Sequence, residues 1–359
     1  MAKAITIQEV AALAGTSTST VSNLLNGRTS RMSAATRERI ETAMRQLGYQ
    51  ANQAARQLKT GQSPVLGLVI PSVANPFWGA FVQVVEEAAS EREYQVLLGN
   101  GGRDPKREQR YAESLWAHGV RGIIFGSSPI SIDYILRLVE RGLHVMIFDR
   151  RLHEGDTGDT SAIDGISVDN VEGGYLATKH LLDLGHTRIG FLSGPLRTSS
   201  RLERLEGYRS ALIDAGIRHD PELVWEGASY TGSGDVEGAE IGRAGARALL
   251  TMEEPPTGLV TINDMYALGA YAGAHDLGFR IPDDVSIIGF DDISMAQIAN
   301  PPLTTIRQPI ASMMQTAVNT LIQRLEGSSH EPAHGITVPT ELIVRQSTAI
   351  PGSRQYRPG

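Results

Sequence analysis

Apolar residues recur at three- and four-residue intervals over the first fifty positions, then change at Val65 to short unbroken runs alternating with helical stretches. Thr6 followed by Glu9 makes a capping box, so a first helix starts near Ile7, with Val10 and Leu13 as its apolar stripe. Gly15 supplies the left-handed residue of a tight turn and Ser17 caps a second helix running to about Asn26. Val21, Leu24 and Leu25 share the buried face of that helix, which leaves Thr18, Ser19, Ser22 and Asn23 on an exposed polar face. A third helix, capped by Ser33 and ended by Gly48, spans about Ala34 to Leu47 with Ile40, Met44 and Leu47 on one side. Asn52 to Ser63 offers two helical turns, marginal without tertiary support, before the linker-like Gly61-Gln62-Ser63-Pro64.

Beyond Val65 the runs VLGLVI (from Val65), YQVLL (from Tyr94), GIIF (from Gly122) and HVMIF (from His144) alternate with helices. A second series follows, with GISV from Gly165, RIGFL from Arg188, LVTI from Leu259 and VSIIGF from Val285. The βαβα order predicts two similar lobes with parallel sheets, helices on both faces, and a ligand cleft beyond the carboxyl ends of the strands. The loops starting at Pro71, Asn100, Asp149, Ser193, Asn263 and Asp291 therefore belong to one cleft.

Charge separates the two parts. Residues 1–62 hold eight basic side chains (Lys3, Arg28, Arg31, Arg37, Arg39, Arg45, Arg56, Lys59) and three acidic ones (Glu9, Glu38, Glu41), a net of +5 against −7 for the whole chain, so the remainder carries −12. A basic head on an acidic body suits phosphate neutralisation with counterion release, and a short exposed polar helix suits base edges. The 41% hydrophobic content supports packed cores. No run approaches the ~18 apolar residues of a membrane span, and no charged-then-apolar leader precedes Thr6, which leads us to expect a cytoplasmic, nucleoid-associated protein. The absence of cysteine excludes disulfides, thiolate catalysis and cysteine-ligated zinc.

Enzyme signatures are missing: there is no P-loop, no H-E-x-x-H and no G-x-S-x-G. Gly99, Gly101 and Gly102 follow a strand without the dinucleotide spacing, and His330 with His334 lacks a third metal ligand, so neither a cofactor nor a metal is expected. Asp291 and Asp292 are poor partners for catalysis, because neighbours at a strand end point to opposite sides. A transport-type sugar-binding protein would share the lobes but has no use for residues 5–62.

The runs TIQEVAALAGTSTSTVSNLLNG, AARQLKTG, NPFW, VDNVEGG, HLLDLGHTRIGFLSGP, RLEGYRSAL, INDMYALGA, VSIIGFDD, PPLTTIRQP and ELIVRQST resemble, in order and over nearly the whole length, the lactose-repressor/galactose-repressor family of bacterial transcription regulators. The resemblance implies an all-α helix-turn-helix head (1–51), a hinge helix and linker (52–63), and a periplasmic-binding-protein-like α/β core (64–359). Within that core it implies lobe 1 at about 64–163 and 294–323 and lobe 2 at about 164–293 and 324–359. It also implies a homodimer on near-palindromic operator DNA; no apolar heptad tail for a tetramer follows Ile350.

The family's base-reading positions fall on Thr18, Ser19 and Asn23; Asn23 stands where many relatives have arginine, and an amide suits adenine N6 and N7. Thr6, Ser17, Thr20, Ser22, Asn26 and Arg28 complete the expected contacts of the head with DNA. In the hinge, Leu58 aligns with a minor-groove wedge, Ala55 with the small residue where two hinge helices meet, and Arg56 and Lys59 with phosphate or groove contacts. For the effector, Arg204 and Asp291 match the family's principal pair and Asn263 its amide position, with Phe77 and Trp78 supplying aromatic faces. Glu172 stands where several relatives have an acidic contact, and Gln308 lies at the lobe crossover. The expected function is repression of carbohydrate-utilisation genes under control of a sugar or sugar derivative. The alternative is a co-repressor-dependent regulator answering a nucleobase or phosphorylated metabolite.

Overall fold

A computed structural model describes residues 5–25, 29–30, 32–49, 64–127, 133–149, 163–227, 238–328 and 335–352. The chain divides into two compact units, residues 1–63 and 64–359.

In the first unit, α1 (Ile7–Leu13) starts as the capping box requires: Glu9 N–H donates to Thr6 Oγ1 at 3.4 Å, and Thr6 N–H donates to Glu9 Oε2 at 2.7 Å. Gly15 takes φ +60 in the turn. α2 (Thr18–Leu25) is capped by Ser17, whose Oγ accepts from Thr20 N–H at 3.1 Å. α3 (Ala34–Leu47) begins on Ser33 and ends on left-handed Gly48. Val10, Ala11, Ala14, Val21, Ile40 and Ala43 form the buried core. Leu13 departs from the expected stripe. It is the last residue of α1 and stays 51% exposed, so Ala11 and Ala14 pack in its place.

Among the described residues, the second unit holds two six-stranded sheets. Its elements run β1 (Val65–Ile70), α4 (Pro76–Glu91), β2 (Gln95–Asn100), α5 (Pro105–Ala117), β3 (Gly122–Phe125), α6 (Asp133–Val139), β4 (His144–Phe148) and β5 (Ile163–Val168). They continue with α7 (Asn170–Asp183), β6 (Ile189–Leu192), α8 (Ser199–Asp214), β7 (Val224–Trp225), α9 (Gly238–Leu250), β8 (Gly258–Thr261) and α10 (Asp264–Asp276). The last are β9 (Ser286–Asp291), α11 (Ser294–Ile298), β10 (Thr304–Arg307), α12 (Ile310–Leu325), β11 (Gly335–Val338) and β12 (Glu341–Ile343).

The first sheet is ordered β11-β5-β4-β3-β1-β2 and is parallel throughout. The second is ordered β12-β10-β9-β8-β6-β7, with only β12 antiparallel. The apolar runs become these strands because both faces are covered by helices, which buries every residue of β3, β6 and β8.

Three boundaries of the lobes differ from the sequence expectation. β5, expected to open lobe 2 at 164, pairs with β4 in the first sheet, Ile147 facing Gly165. Residues 304–307, expected in lobe 1, form β10 beside β9 in the second sheet, while 335–338, expected in lobe 2, join the first. Local hydropathy carries no record of which sheet accepts a strand; the chain changes lobe after β5, after β10 and between β11 and β12. No helix among the described residues is long and apolar enough to cross a membrane.

Candidate functional site

On α2, Thr18, Ser19 and Asn23 are exposed and Ser22 half-buried, while Val21 is fully buried beneath them. Ser17 Oγ lies 2.8 Å from both Ser19 Oγ and Thr20 Oγ1, so these hydroxyls order the first turn as well as facing solvent. Thr6 is exposed at the start of α1, its hydroxyl engaged in the cap. Asn26, Arg28 and the hinge positions Ala55, Arg56, Leu58 and Lys59 lie outside the described residues, as do His330 and His334.

The second unit has a cleft between the carboxyl ends of its two sheets, with a cavity volume of about 30 Å³. Arg204 of α8 is its centre. Its Nε donates to Asn170 Oδ1 at 2.8 Å and its Nη1 to the Ile262 carbonyl at 2.7 Å, and its guanidinium lies 3.5 Å from the Phe290 ring centroid. Two carboxylates flank it at 4.0 Å, Asp149 from the first lobe and Asp291 from the second. Burial pushes the Arg204 pKa down, and the charges of Asp149 and then Asp291 oppose the shift. A cation removed from water in this way needs such partners, because isolated burial costs several kcal/mol, on the order of what a whole domain has to spare.

Each carboxylate is held in turn. Asp149, at φ +61, accepts from Asn170 Nδ2 at 2.6 Å, and Asp291, at φ +122, accepts from Gln308 Nε2 at 2.7 Å. Positive φ on two non-glycine residues at strand ends marks backbone held out of its preferred basin by its surroundings. Behind Asp291, buried Asp264 accepts from Thr305 Oγ1 at 2.6 Å and from Ile293 N–H at 2.9 Å; burial, then the Asp291 charge, push its pKa well up. Asn263 caps α10 through Oδ1, which accepts from Tyr266 N–H at 3.1 Å. The first lobe supplies an aromatic wall: Phe77 and Trp78 meet edge-to-face at 4.9 Å, and Phe148 stands 5.9 Å from Trp78.

The structure thus brings Phe77, Trp78, Arg204, Asn263, Asp291 and Gln308 to one cavity. It does not bring Glu172 there. That residue is exposed in the first turn of α7, its N–H donating to the Asp169 cap at 3.0 Å, and it is absent from the lining. Asp291 and Asp292 do diverge: Asp292 turns away to Arg307 at 2.7 Å and Arg345 at 2.6 Å.

Residues 6–52 match the family model described as bacterial regulatory proteins, lacI family, and residues 178–348 match a periplasmic binding protein-like domain. The HTH-type transcriptional repressor PurR of Haemophilus influenzae (strain PittEE) is 34% identical over 344 residues, covering 95% of this chain and 98% of the relative. The chain belongs to the lacI family. Among solved structures, the lac repressor dimer bound to operator and an anti-inducer superposes with a TM-score of 0.82 at 28% identity, covering 97% of this chain and 100% of that one. A CelR–cellobiose complex gives a TM-score of 0.70 at 31% identity, covering 96% and 99%.

As a lacI-family protein this is a DNA-binding transcriptional regulator, not an enzyme. No cluster of three metal-ligating side chains occurs among the described residues. Sequence reasoning missed Asn75, Arg103, Phe148, Asp149, Ser200, Arg201 and Ile262 as lining residues. A signal existed for several. Asn75 is an N-cap before Pro76, Asp149 opens a strand-end loop, and Ser200 and Arg201 sit one turn before Arg204 on α8.

Proposed function

We propose that the chain is a homodimeric repressor of carbohydrate-utilisation genes that acts in the cytoplasm, on the nucleoid, and binds near-palindromic operator DNA. A sugar or sugar derivative in the cleft sets its operator affinity. α2 reads bases through Thr18, Ser19 and Asn23, with Thr6, Ser17, Thr20, Ser22, Asn26 and Arg28 adding contacts, and the hinge residues Ala55, Arg56, Leu58 and Lys59 engage the minor groove.

One observation carries the effector reading. Gln308 sits where the chain crosses from β10 in the second lobe to α12 in the first, and its amide donates to Asp291 in the cleft. A ligand hydroxyl that competes for Asp291 acts on the crossing segment itself, so occupancy and lobe angle are linked. Paired carboxylates, a guanidinium and an aromatic wall are also the chemistry that holds vicinal hydroxyls and the C–H face of a sugar. The named ligand of CelR, cellobiose, agrees with this reading.

The narrow cavity and its three rings also suit a flat heterocycle, which is the feature favouring a nucleobase co-repressor. For the dimer, the edge strand β2 leaves Leu97 and Leu98 46% and 45% exposed, and α11 leaves Ile298 82% exposed, so each lobe offers an apolar surface.

A thermal-shift screen of the full chain against sugars and nucleobases separates the two ligand classes. A ligand at 100 times its Kd adds about 2.7 kcal/mol to stability. Shifts confined to nucleobases would overturn the sugar reading.

A further inference from the structure

Beside the cleft lies a second, larger recess of about 440 Å³ that the effector reading above does not use. It opens where β2 and β3 end, between α5 and α6 of the first lobe and residues 197–198 of the second. Arg103 lines both cavities, and its guanidinium stands 5.9 Å from the Trp78 ring centroid. Thr198, in the recess, is the N-cap of the helix whose Ser200 and Arg201 line the cleft. The two cavities are therefore adjoining compartments of one lobe interface.

The recess is strongly cationic. Arg103, Lys106, Arg137 and Arg197 face Glu108 and Asp133. Lys106, Arg137 and Arg197 are exposed, and none has an ion-pair partner among the described residues. Glu108 is not an ordinary surface acid. It is 1% exposed, Tyr134 Oη donates to its Oε2 at 2.5 Å, and burial pushes its pKa up against the hydroxyls of Tyr134 and Ser127 and the charge of Arg103. The hydroxyl of Ser127, 2% exposed, lies beside the Glu108 carboxyl and lines the recess with it. A ligand group in the recess therefore meets a buried carboxyl and a hydroxyl as well as the cations around them.

We propose that the recess is an anion subsite: the effector is a sugar whose hydroxylated body occupies the cleft and whose phosphate ester or carboxylate enters the recess. Lys106 and Arg137 hold the anion from the first lobe and Arg197 from the second. An anion there ties the lobes together, so the charged group drives closure as well as recognition. Guanidinium groups suit both anions, since each offers oxygens in the geometry of a fork. The inference rests on the reading of the cleft as a sugar site.

Calorimetry on the full-length protein tests it with matched probes: ribose against ribose 5-phosphate, and glucose against glucose 6-phosphate and gluconate. In at least one set the anionic member binds tenfold or more tighter than its neutral counterpart. Arg137→Ala and Arg197→Ala each remove most of that advantage and leave the neutral sugar within about twofold, while Arg137→Lys retains it. Glucose 6-phosphate and gluconate distinguish phosphate from carboxylate. Neutral sugars that bind as tightly as their anionic partners, or variants that weaken both alike, overturn the anion subsite alone. Failure of every probe to bind overturns the sugar reading along with it.

Discussion

Asn23 stands exposed on α2, with one amide able to donate to adenine N7 and accept from N6. Asn23→Ala is expected to weaken operator binding by about 1–3 kcal/mol and relax preference at one base pair per half-site. Equal weakening across all operator variants in a binding titration would assign it a phosphate contact instead. In the cleft, Asp291→Asn keeps shape and removes the charge that faces Arg204 and accepts from Gln308. Hydrogen bonds to charged groups contribute about 1.5–3 kcal/mol, so effector affinity should fall tenfold or more while operator affinity without effector stays unchanged. Calorimetry showing wild-type effector affinity would remove Asp291 from the binding set.

Among the elements, α7 and α8 cross closely because glycines line the contact: a Cβ on Gly207 would run into the Val171 carbonyl, and one on Gly174 into the Arg204 carbonyl. Gly207→Ala is overpacking, expected to cost about 1–3 kcal/mol. Parting these helices also moves Arg204, so a denaturant series should show lost stability and calorimetry a weaker effector together; lost stability with intact effector affinity would uncouple the crossing from the site. Buried His186 contacts Thr257 Oγ1 at 2.8 Å and the Ala349 carbonyl at 2.9 Å, tying the chain at Ala349 to the second lobe. Burial lowers its pKa from 6.5 against the Ala349 hydrogen bond. The folded state then binds fewer protons than the unfolded one, so this stability is complete above about 6.5 and is lost as pH falls toward the lowered value. Melting temperatures between pH 7.5 and 5 should fall with acid, and His186→Gln should flatten the fall; an unchanged slope would place the titration elsewhere.

How far these elements were legible depended on whether their signal was local. Thr6 with Glu9, Ser33 and Gly48 announced their helix ends, and eight apolar runs announced seven interior strands and the edge strand β2. β7, β10, β11 and β12, of two to four residues, had no pattern of their own. They form because neighbouring strands offer an edge, and so the lobe crossings were misplaced. In the cleft, Arg204, Asp291 and Asn263 follow from the family resemblance and the Asp149 loop from its strand end, whereas the place of Arg103 depends on left-handed backbone at φ +51 that no run of residues displays.

At the scale of the molecule, a basic unit of residues 1–63 and a two-lobed unit of residues 64–359 divide reading from sensing. Regulation requires the two to communicate, and linkage makes the effect mutual. The decisive measurement is a pair of titrations on the full chain: operator affinity with and without saturating effector, and effector affinity with and without saturating operator. The same factor in both, in the range of about 5–150-fold, is the expected result, with Asp291→Asn raising tenfold or more the effector concentration that the shift needs. Operator affinity indifferent to every ligand that demonstrably fills the cleft would contradict it.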